Sequence, residues 1–358
     1  MSRLHIEHDV PLAPRTTLEL GGAARELVTA EDDATVVEAL RHARECEMPV
    51  AILGGGSNLV VADAGFDGLV IAMAQKGVEA QVRGATAHVT VRAGEVWDEL
   101  VALSVERDLA GLECLSGIPG LVGATPIQNV GAYGQEVSHT IERVRVLDRE
   151  TLEMRELDNA QCGFAYRDSA FKRAPDRFVV LEVGFALHMG GDPTLAYAEL
   201  RDALSVGDEG DPLPALSTVR ETVLSLRRRK SMVIDPDDEN RRSAGSFFTN
   251  PIVTETRAQA LCSRAVEEGL VERAEQVPRY PAGEGRVKLA AGWLIERAGC
   301  QKGERHGHVG ISSRHALALV HHGGGTTAEL LALAHDVQRR VRKRFGVELT
   351  PEPVLLGT

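Results

Sequence analysis

The chain has 358 residues, 43% hydrophobic and 26% charged, a globular composition that excludes a disordered chain, a coiled coil or a disulfide miniprotein. At roughly 100–200 residues per domain, the length implies two or three domains. A net charge of −12 argues against a general nucleic-acid binder, and it stays compatible with a local basic pocket for a small anion.

Apolar residues at helical spacing (Val36, Val37, Leu40, Ala43) predict a helix over 34–45. A short apolar strand, 49–53, runs straight into Gly54-Gly55-Gly56-Ser57-Asn58. Residues 68–73 read as a second buried strand and 88–93 as an alternating one. Residues 95–107 read as a helix with Val96, Trp97, Leu100, Val101 and Leu103 on its apolar side. A stretch punctuated by Gly and Pro, 116–134, precedes strands at 141–147 and 178–187. Acidic 202–214 reads as a loop, 218–230 as a helix ending in four basic residues, and polar 235–242 as a linker. Helices follow near 254–269, 288–298 and 326–345, with a closing strand at 353–356. There is no internal repeat, and the pattern is α+β with mixed sheets and at least two domains.

No apolar run reaches the ~18–20 residues of a membrane span, and the polar start, 1–10, has no signal-peptide core. A cytoplasmic protein without membrane insertion is expected. Cys46, Cys114, Cys162, Cys262 and Cys300 are scattered and never spaced as CxxC, so buried free thiols are expected. His306, His308, His321 and His322 lack further ligands at fitting spacing, and no metal site is expected. Gly323-Gly324-Gly325 reads as a turn.

Two other glycine clusters point to a ligand. A strand followed by Gly54-Gly55-Gly56-Ser57-Asn58 lets several amides converge on one anion, with Ser57 and Asn58 adding side-chain bonds. It is neither a Walker loop nor a Rossmann fingerprint, and alone it could be a plain turn. Residues 117–134 hold five glycines and two prolines, with Gln128 and Asn129 among apolar neighbours. That suits a backbone wall against a planar cofactor better than a surface loop.

The segments GGGSN (54–58), AGEVW (93–97), GIPGLVGATPIQNVGAYG (117–134), FAYRDS (164–169), SAGSFFTNP (243–251), KLAAGWLIE (288–296) and LTPEPVLL (349–356) stand in a family-specific order. The chain resembles the UDP-N-acetylenolpyruvoylglucosamine reductases, flavin enzymes that complete UDP-N-acetylmuramate for bacterial peptidoglycan. The resemblance runs from Arg15 to the C-terminus. It implies an α+β fold: a two-subdomain FAD-binding region of the p-cresol methylhydroxylase/vanillyl-alcohol oxidase type (1–77, and 78–235 to which the C-terminal strand in 346–358 returns) plus an α+β substrate-binding domain (236–345). It also implies non-covalent FAD, with the pyrophosphate held by Gly54, Gly55, Gly56, Ser57 and Asn58. The flavin would be lined by the 116–134 segment through Ser116, Gly117, Ile118, Pro119, Gly120, Gly123, Ala124, Pro126, Gln128, Asn129, Gly131, Ala132 and Tyr133, and Leu53, Leu59, Gly94 and Arg167 would also contact the cofactor.

The reaction implied adds hydride from flavin N5 to the terminal carbon of an enolpyruvyl ether, then a proton to its α-carbon. Arg167 matches the family's catalytic arginine, and a guanidinium suits the carboxylate on which charge builds. Ser246 matches the proton donor. Glu352 matches the catalytic glutamate, acting as a neutral acid or by orienting a water. By the same resemblance Tyr197, in LAYAEL (195–200), sits on a loop that clamps the nucleotide. Lys230 meets the diphosphate, and Asn250, Tyr280, Lys302 and His315 make further substrate contacts. Around Lys302 the spacing departs from the family pattern by about a residue, and His315 stands where some relatives carry Gln. NADPH is the implied electron donor, the UDP-sugar the substrate, and a monomer the expected state. Another flavin oxidase of the same superfamily, a non-catalytic nucleotide-binding module and a precursor sensor without turnover are the alternatives. The combination of Arg167, Ser246 and Glu352 weighs against the module.

Overall fold

The computed structural model describes residues 4–206 and 212–357. The described residues divide into two units, one drawn from Met1–Val10, Ala24–Gly56 and Asp67–Ile234, the other from Pro11–Ala23, Ser57–Phe66 and Asp235–Thr358.

The first unit contains two sheets. A four-stranded sheet runs in the order Glu7–Pro11, Ala23–Ala30, Phe66–Met73, Val50–Leu53. Its last two strands are parallel, and the C-terminal end of Val50–Leu53 runs directly into the glycine turn at 54–56. Helix Asp33–Glu45 covers this sheet with Val36, Ala39, Leu40 and Ala43, and its N-terminus is capped by Asp32, which accepts from the Thr35 amide at 2.7 Å. An antiparallel sheet orders Met154–Asp158, Ile141–Asp148, Phe178–Met189, Thr86–Arg92 and Val78–Arg83, with Leu109–Ala110 on the far end of its central strand. Helix Trp97–Glu106 buries Trp97, Leu100 and Val101 in the core of that sheet, and the indole Nε1 donates to the Leu115 carbonyl at 3.1 Å. Helices Ala198–Leu204 and Leu216–Arg229 enclose a smaller cluster of Cys114, Leu200, Val219, Val223 and Leu226.

The second unit pairs Ile252–Thr254, Arg286–Leu289 and Arg279–Pro281 in one antiparallel sheet, and Arg305–His306, Val309–Ile311 and Leu319–His321 in another. Helices Glu255–Glu267, Ala291–Arg297 and Thr327–Phe345 close over them around Phe247, Phe248, Leu294, Leu333 and Phe345. The C-terminal strand Val354–Leu356 pairs in parallel with Leu59–Val61, whereas the sequence reading sends it to residues 78–235.

Most expected elements are found within two or three residues of their expected ends. Four expectations change. Residues 288–298 are not one helix: Val287 and Leu289 alternate inward on a strand paired on both sides, and the helix begins only at Ala291. The acidic loop 202–214 begins as helix, because Leu200 and Leu204, four apart, both pack on Leu216–Arg229; residues 207–211 lie outside the described residues. The expected linker 235–242 is pinned at buried Asn240, whose amide bonds Ser313 at 2.9 and 3.0 Å. Cys46 is exposed at the end of a helix, while the other four thiols are buried.

Candidate active site

In the first unit, strand Val50–Leu53 ends at buried Leu53, and Gly54–Gly56 turn the chain with no side chain over their amides. Gly55 lies against the 117–134 segment so closely that a Cβ there would sit 2.8 Å from the Gly120 Cα. A side chain at 55 would push the two glycine segments apart, so the cradle admits glycine alone. Gly94 donates to the Gln75 carbonyl, and Gly123 to the Ala93 carbonyl, both at 3.0 Å. Ser116 is buried with its Oγ on the Glu113 carbonyl at 2.6 Å, and the Gly117 amide donates to Asp98 at 2.6 Å. Burial would raise the Asp98 carboxyl, but a two-pronged bond from Arg220 (2.7 and 2.9 Å) and the Gly117 amide hold it below its usual value. Ile118 packs on the sheet core, Pro119 and Gly120 are half-buried, Ala124 is exposed and Pro126 is buried beside half-buried Gln128. The segment is thus backbone anchored from behind, with few side chains in front.

Arg167 sits at the tip of a two-residue turn closed by reciprocal backbone bonds between Ala165 and Asp168 (3.0 and 3.1 Å). Its φ is +53°, a conformation that costs a non-glycine residue and persists only where surroundings impose it. The surroundings are visible. Its Nη2 donates to the Gly131 carbonyl at 2.7 Å, and Lys172 Nζ donates to the Arg167 carbonyl at 2.9 Å. Gly131 must lack a Cβ, which would fall 2.8 Å from Glu136 Cγ and 3.3 Å from the Arg167 guanidinium. Buried Asn129 fixes the same region: its amide donates to Glu136 (2.9 Å) and to the Ala165 carbonyl (3.1 Å), and its Oδ1 accepts from the Ser138 amide (3.1 Å).

Gly131–Ala132 and Gln135–Glu136 form a tiny hairpin around Tyr133-Gly134, both at positive φ, as a two-residue hairpin turn requires. The turn presents the Tyr133 ring edge-on to Tyr197, centroids 5.5 Å apart, with Lys230 Nζ 5.8 Å from the Tyr133 centroid. Lys230 also pairs with Glu199 at 2.6 Å. Burial pushes the Tyr133 hydroxyl up to about 12, against the pull of Arg227.

Arg227 is the residue that sequence reasoning missed in this group. Its Nη2 donates to the Met232 carbonyl at 2.5 Å, and its Nε is shielded from solvent without a partner. Burial pushes its guanidinium down to about 10, with Tyr133 and Asp98 opposing, and a Cβ on Gly117 would lie 3.4 Å from that Nε. The signal was present: Val219, Val223 and Leu226 define the inward face of the helix, and position 227 falls on it.

In the second unit, the loop carrying Ser246 runs beside the one carrying Glu352. Phe248 bridges Pro351, the Glu352 amide donates to the Phe247 carbonyl at 2.9 Å and the Thr249 amide to the Thr350 carbonyl at 3.0 Å. Phe247 and Phe248, fully buried and edge-to-face at 5.3 Å, anchor that pairing in the core and leave Ser246 and Glu352 half-buried above it. Asn58 Nδ2 reaches the Glu352 carbonyl at 3.4 Å, and the Val354 amide donates to the Asn58 carbonyl at 2.9 Å. Half-buried Ser57 precedes it, and Leu59 opens the strand behind. Asn250 Oδ1 accepts from the Ala291 amide at 2.8 Å, at the start of helix Ala291–Arg297. Tyr280 is 41% exposed on its strand, opposite Lys288, whose Nζ stands 5.8 Å from the ring centroid. Lys302 lies on an exposed turn paired with Glu296 at 3.2 Å, and half-buried His315 donates its amide to Ser312 Oγ at 3.3 Å. No group of three His, Cys, Asp or Glu among the described residues could hold a metal ion.

Residues 24–155 match the family model of an FAD binding domain. With the sheets described above, this defines a flavoprotein with an FAD-binding region of α+β fold. Residues 235–356 match the model described as UDP-N-acetylenolpyruvoylglucosamine reductase, C-terminal domain. The chain is 51% identical to the UDP-N-acetylenolpyruvoylglucosamine reductase of Streptomyces coelicolor over 98% of its own length and 90% of the relative's. It is 47% identical to the enzyme of that name from Mycobacterium marinum, over 98% and 95%. A crystal structure of UDP-N-acetylenolpyruvylglucosamine reductase from Thermus caldophilus superposes with a TM-score of 0.64 at 26% identity, over 99% of both chains. The chain belongs to the UDP-N-acetylenolpyruvoylglucosamine reductase family.

Proposed function

We propose that this chain reduces the enolpyruvyl group of UDP-N-acetylenolpyruvoylglucosamine to give UDP-N-acetylmuramate, with NADPH as electron donor, as a cytoplasmic monomer. The division into 1–77, 78–235 and 236–345 belongs to the same reading. No helix among the described residues is long and apolar enough to cross a membrane. The glycine turn 54–56 and the 116–133 wall would hold FAD, which when bound would supply the hydride for the terminal carbon of the substrate. Arg167, preset by its turn, stabilises the charge that develops on the substrate carboxylate, where a fixed guanidinium gains most because it needs no reorganisation. Ser246 Oγ delivers the proton to the α-carbon, and Glu352 supports that transfer as a neutral acid or through a water. Tyr197, Lys230, Asn250, Tyr280, Lys302 and His315 hold the nucleotide and sugar.

The observation that carries the reading is the backbone pairing that fixes Ser246 and Glu352 side by side on the Phe247–Phe248 anchor, in a chain related to these reductases along its length. The test is single-turnover kinetics on the yellow holoenzyme. Ser246→Ala is expected to leave reduction of the bound FAD by NADPH near the parent rate and to abolish anaerobic reoxidation by the enolpyruvyl substrate. Equal slowing of both halves would remove Ser246 as the donor. Reoxidation by O₂ alone in the parent protein would point to an oxidase.

A further inference from the structure

Glu113 is fully buried, yet its partners are all neutral. Its Oε2 accepts from the Gly111 amide at 2.8 Å. Its Oε1 accepts from Gln135 Nε2 at 3.0 Å and from the Thr194 amide at 2.8 Å. Gln135, 2% exposed, completes the network: its Oε1 takes the Cys114 amide at 3.0 Å and its Nε2 also reaches Thr194 Oγ1 at 2.9 Å. Cys114 Sγ donates to the Thr194 carbonyl at 3.1 Å. Thr194 is therefore gripped at its amide, hydroxyl and carbonyl by residues that flank the 116–134 wall at both ends. A buried carboxyl is a costly way to fill a core, and it persists where its acceptors are needed.

Thr194 is three residues before Tyr197. The intervening loop lies on the Tyr133-Gly134 turn, where a Cβ at Gly134 would stand 3.0 Å from the Ala196 Cβ, and the Tyr197 ring ends against Tyr133. We propose that Glu113 is a positioning residue. Through Thr194 it sets the register of the loop on the wall, and so aims Tyr197 at the nucleotide of the substrate. The inference rests on reading Tyr197 as the nucleotide clamp. A carboxyl is required because the four groups around it, the three N–H donors and the Cys114 thiol 4.0 Å from Oε1, all donate; a carboxamide in either orientation sets its NH₂ against at least one N–H.

UDP itself is the probe, titrated calorimetrically into the FAD-loaded protein. Glu113→Gln is expected to weaken UDP binding about tenfold while FAD stays bound, and to cause no further loss on a Tyr197→Ala background. Thr194→Val, which deletes only the hydroxyl bond to Gln135, is expected to weaken UDP about threefold with the same dependence on Tyr197. It decides the matter if Glu113→Gln does not fold. An equal loss with and without Tyr197, or loss of FAD together with UDP, overturns the positioning role. A Tyr197→Ala protein that binds UDP as tightly as the parent overturns the clamp itself, and is seen without touching Glu113.

Discussion

At Arg167 a backbone conformation that favours glycine coincides with a proposed catalytic role. Its φ of +53° favours glycine, yet a guanidinium stands there, held on the Gly131 carbonyl. Two truncations separate the terms. Arg167→Ala and Arg167→Gly both remove the guanidinium, and both are expected to lower kcat/KM by about 10²–10³ or more. Only alanine keeps the Cβ penalty, so the glycine protein should be more stable by about 1 kcal/mol, read by urea denaturation of the two side by side. Equal stability would mean that the turn is not strained. The sequence displayed Arg167 only through its motif; its backbone conformation depends on the distant Gly131 and Asn129, which no local pattern encodes. Arg227 was hidden differently. Four consecutive basic residues look like a solvated helix end, and only the 219-223-226 spacing shows that one of them turns inward.

At the scale of elements, helix Thr327–Phe345 is organised from outside its own sequence. Thr326 and Glu329 form a capping box, while the Thr327 and Ala328 amides donate to Asp63 at 2.7 and 2.9 Å. Asp63→Ala is expected to cost roughly 1 kcal/mol by thermal denaturation. Just before the helix, His321 accepts the Gly325 amide at Nε2 (3.0 Å), so Nδ1 bears the proton and donates to the Leu18 carbonyl at 3.0 Å. Burial holds the His321 pKa below its ordinary 6.5. The unfolded chain therefore binds a proton that the folded one resists. This contribution to stability is complete above 6.5 and is lost as pH falls toward the folded value. His321→Gln should flatten the fall in Tm between about pH 7.5 and about pH 5.5, and an unchanged slope would discount His321. Periodicity found the longer helices and the central buried strands, where a sustained apolar pattern marks the buried face. It missed Ala23–Ala30, Met154–Asp158 and most of the short strands, it misread 286–297, where strand alternation passes into helical spacing within two residues, and it gave no signal at Val78–Arg83, an edge strand with every side chain exposed.

For the whole molecule, an excess of twelve negative charges coexists with a cationic group at Arg167, Arg227 and Lys230 in one unit, where anionic ligands are proposed to bind. The glycine turn 54–56 is proposed to cradle FAD, so stability should follow FAD concentration. Free FAD at about a hundred times its dissociation constant should add about 2.7 kcal/mol over the stripped protein, measured by thermal shift against added FAD. A flat response would mean that the folded chain does not bind FAD.

The pairing of Leu59–Val61 with Val354–Leu356 has a consequence for how the chain is made. Asn58 and Glu352 are 294 positions apart. On a ribosome adding ~5–20 residues per second, the strand Leu59-Val60-Val61 waits about 15–60 s for the partner that covers its edge. Throughout that interval an apolar edge is open to wrong pairing, the hazard that any unpaired edge strand carries until its partner is made.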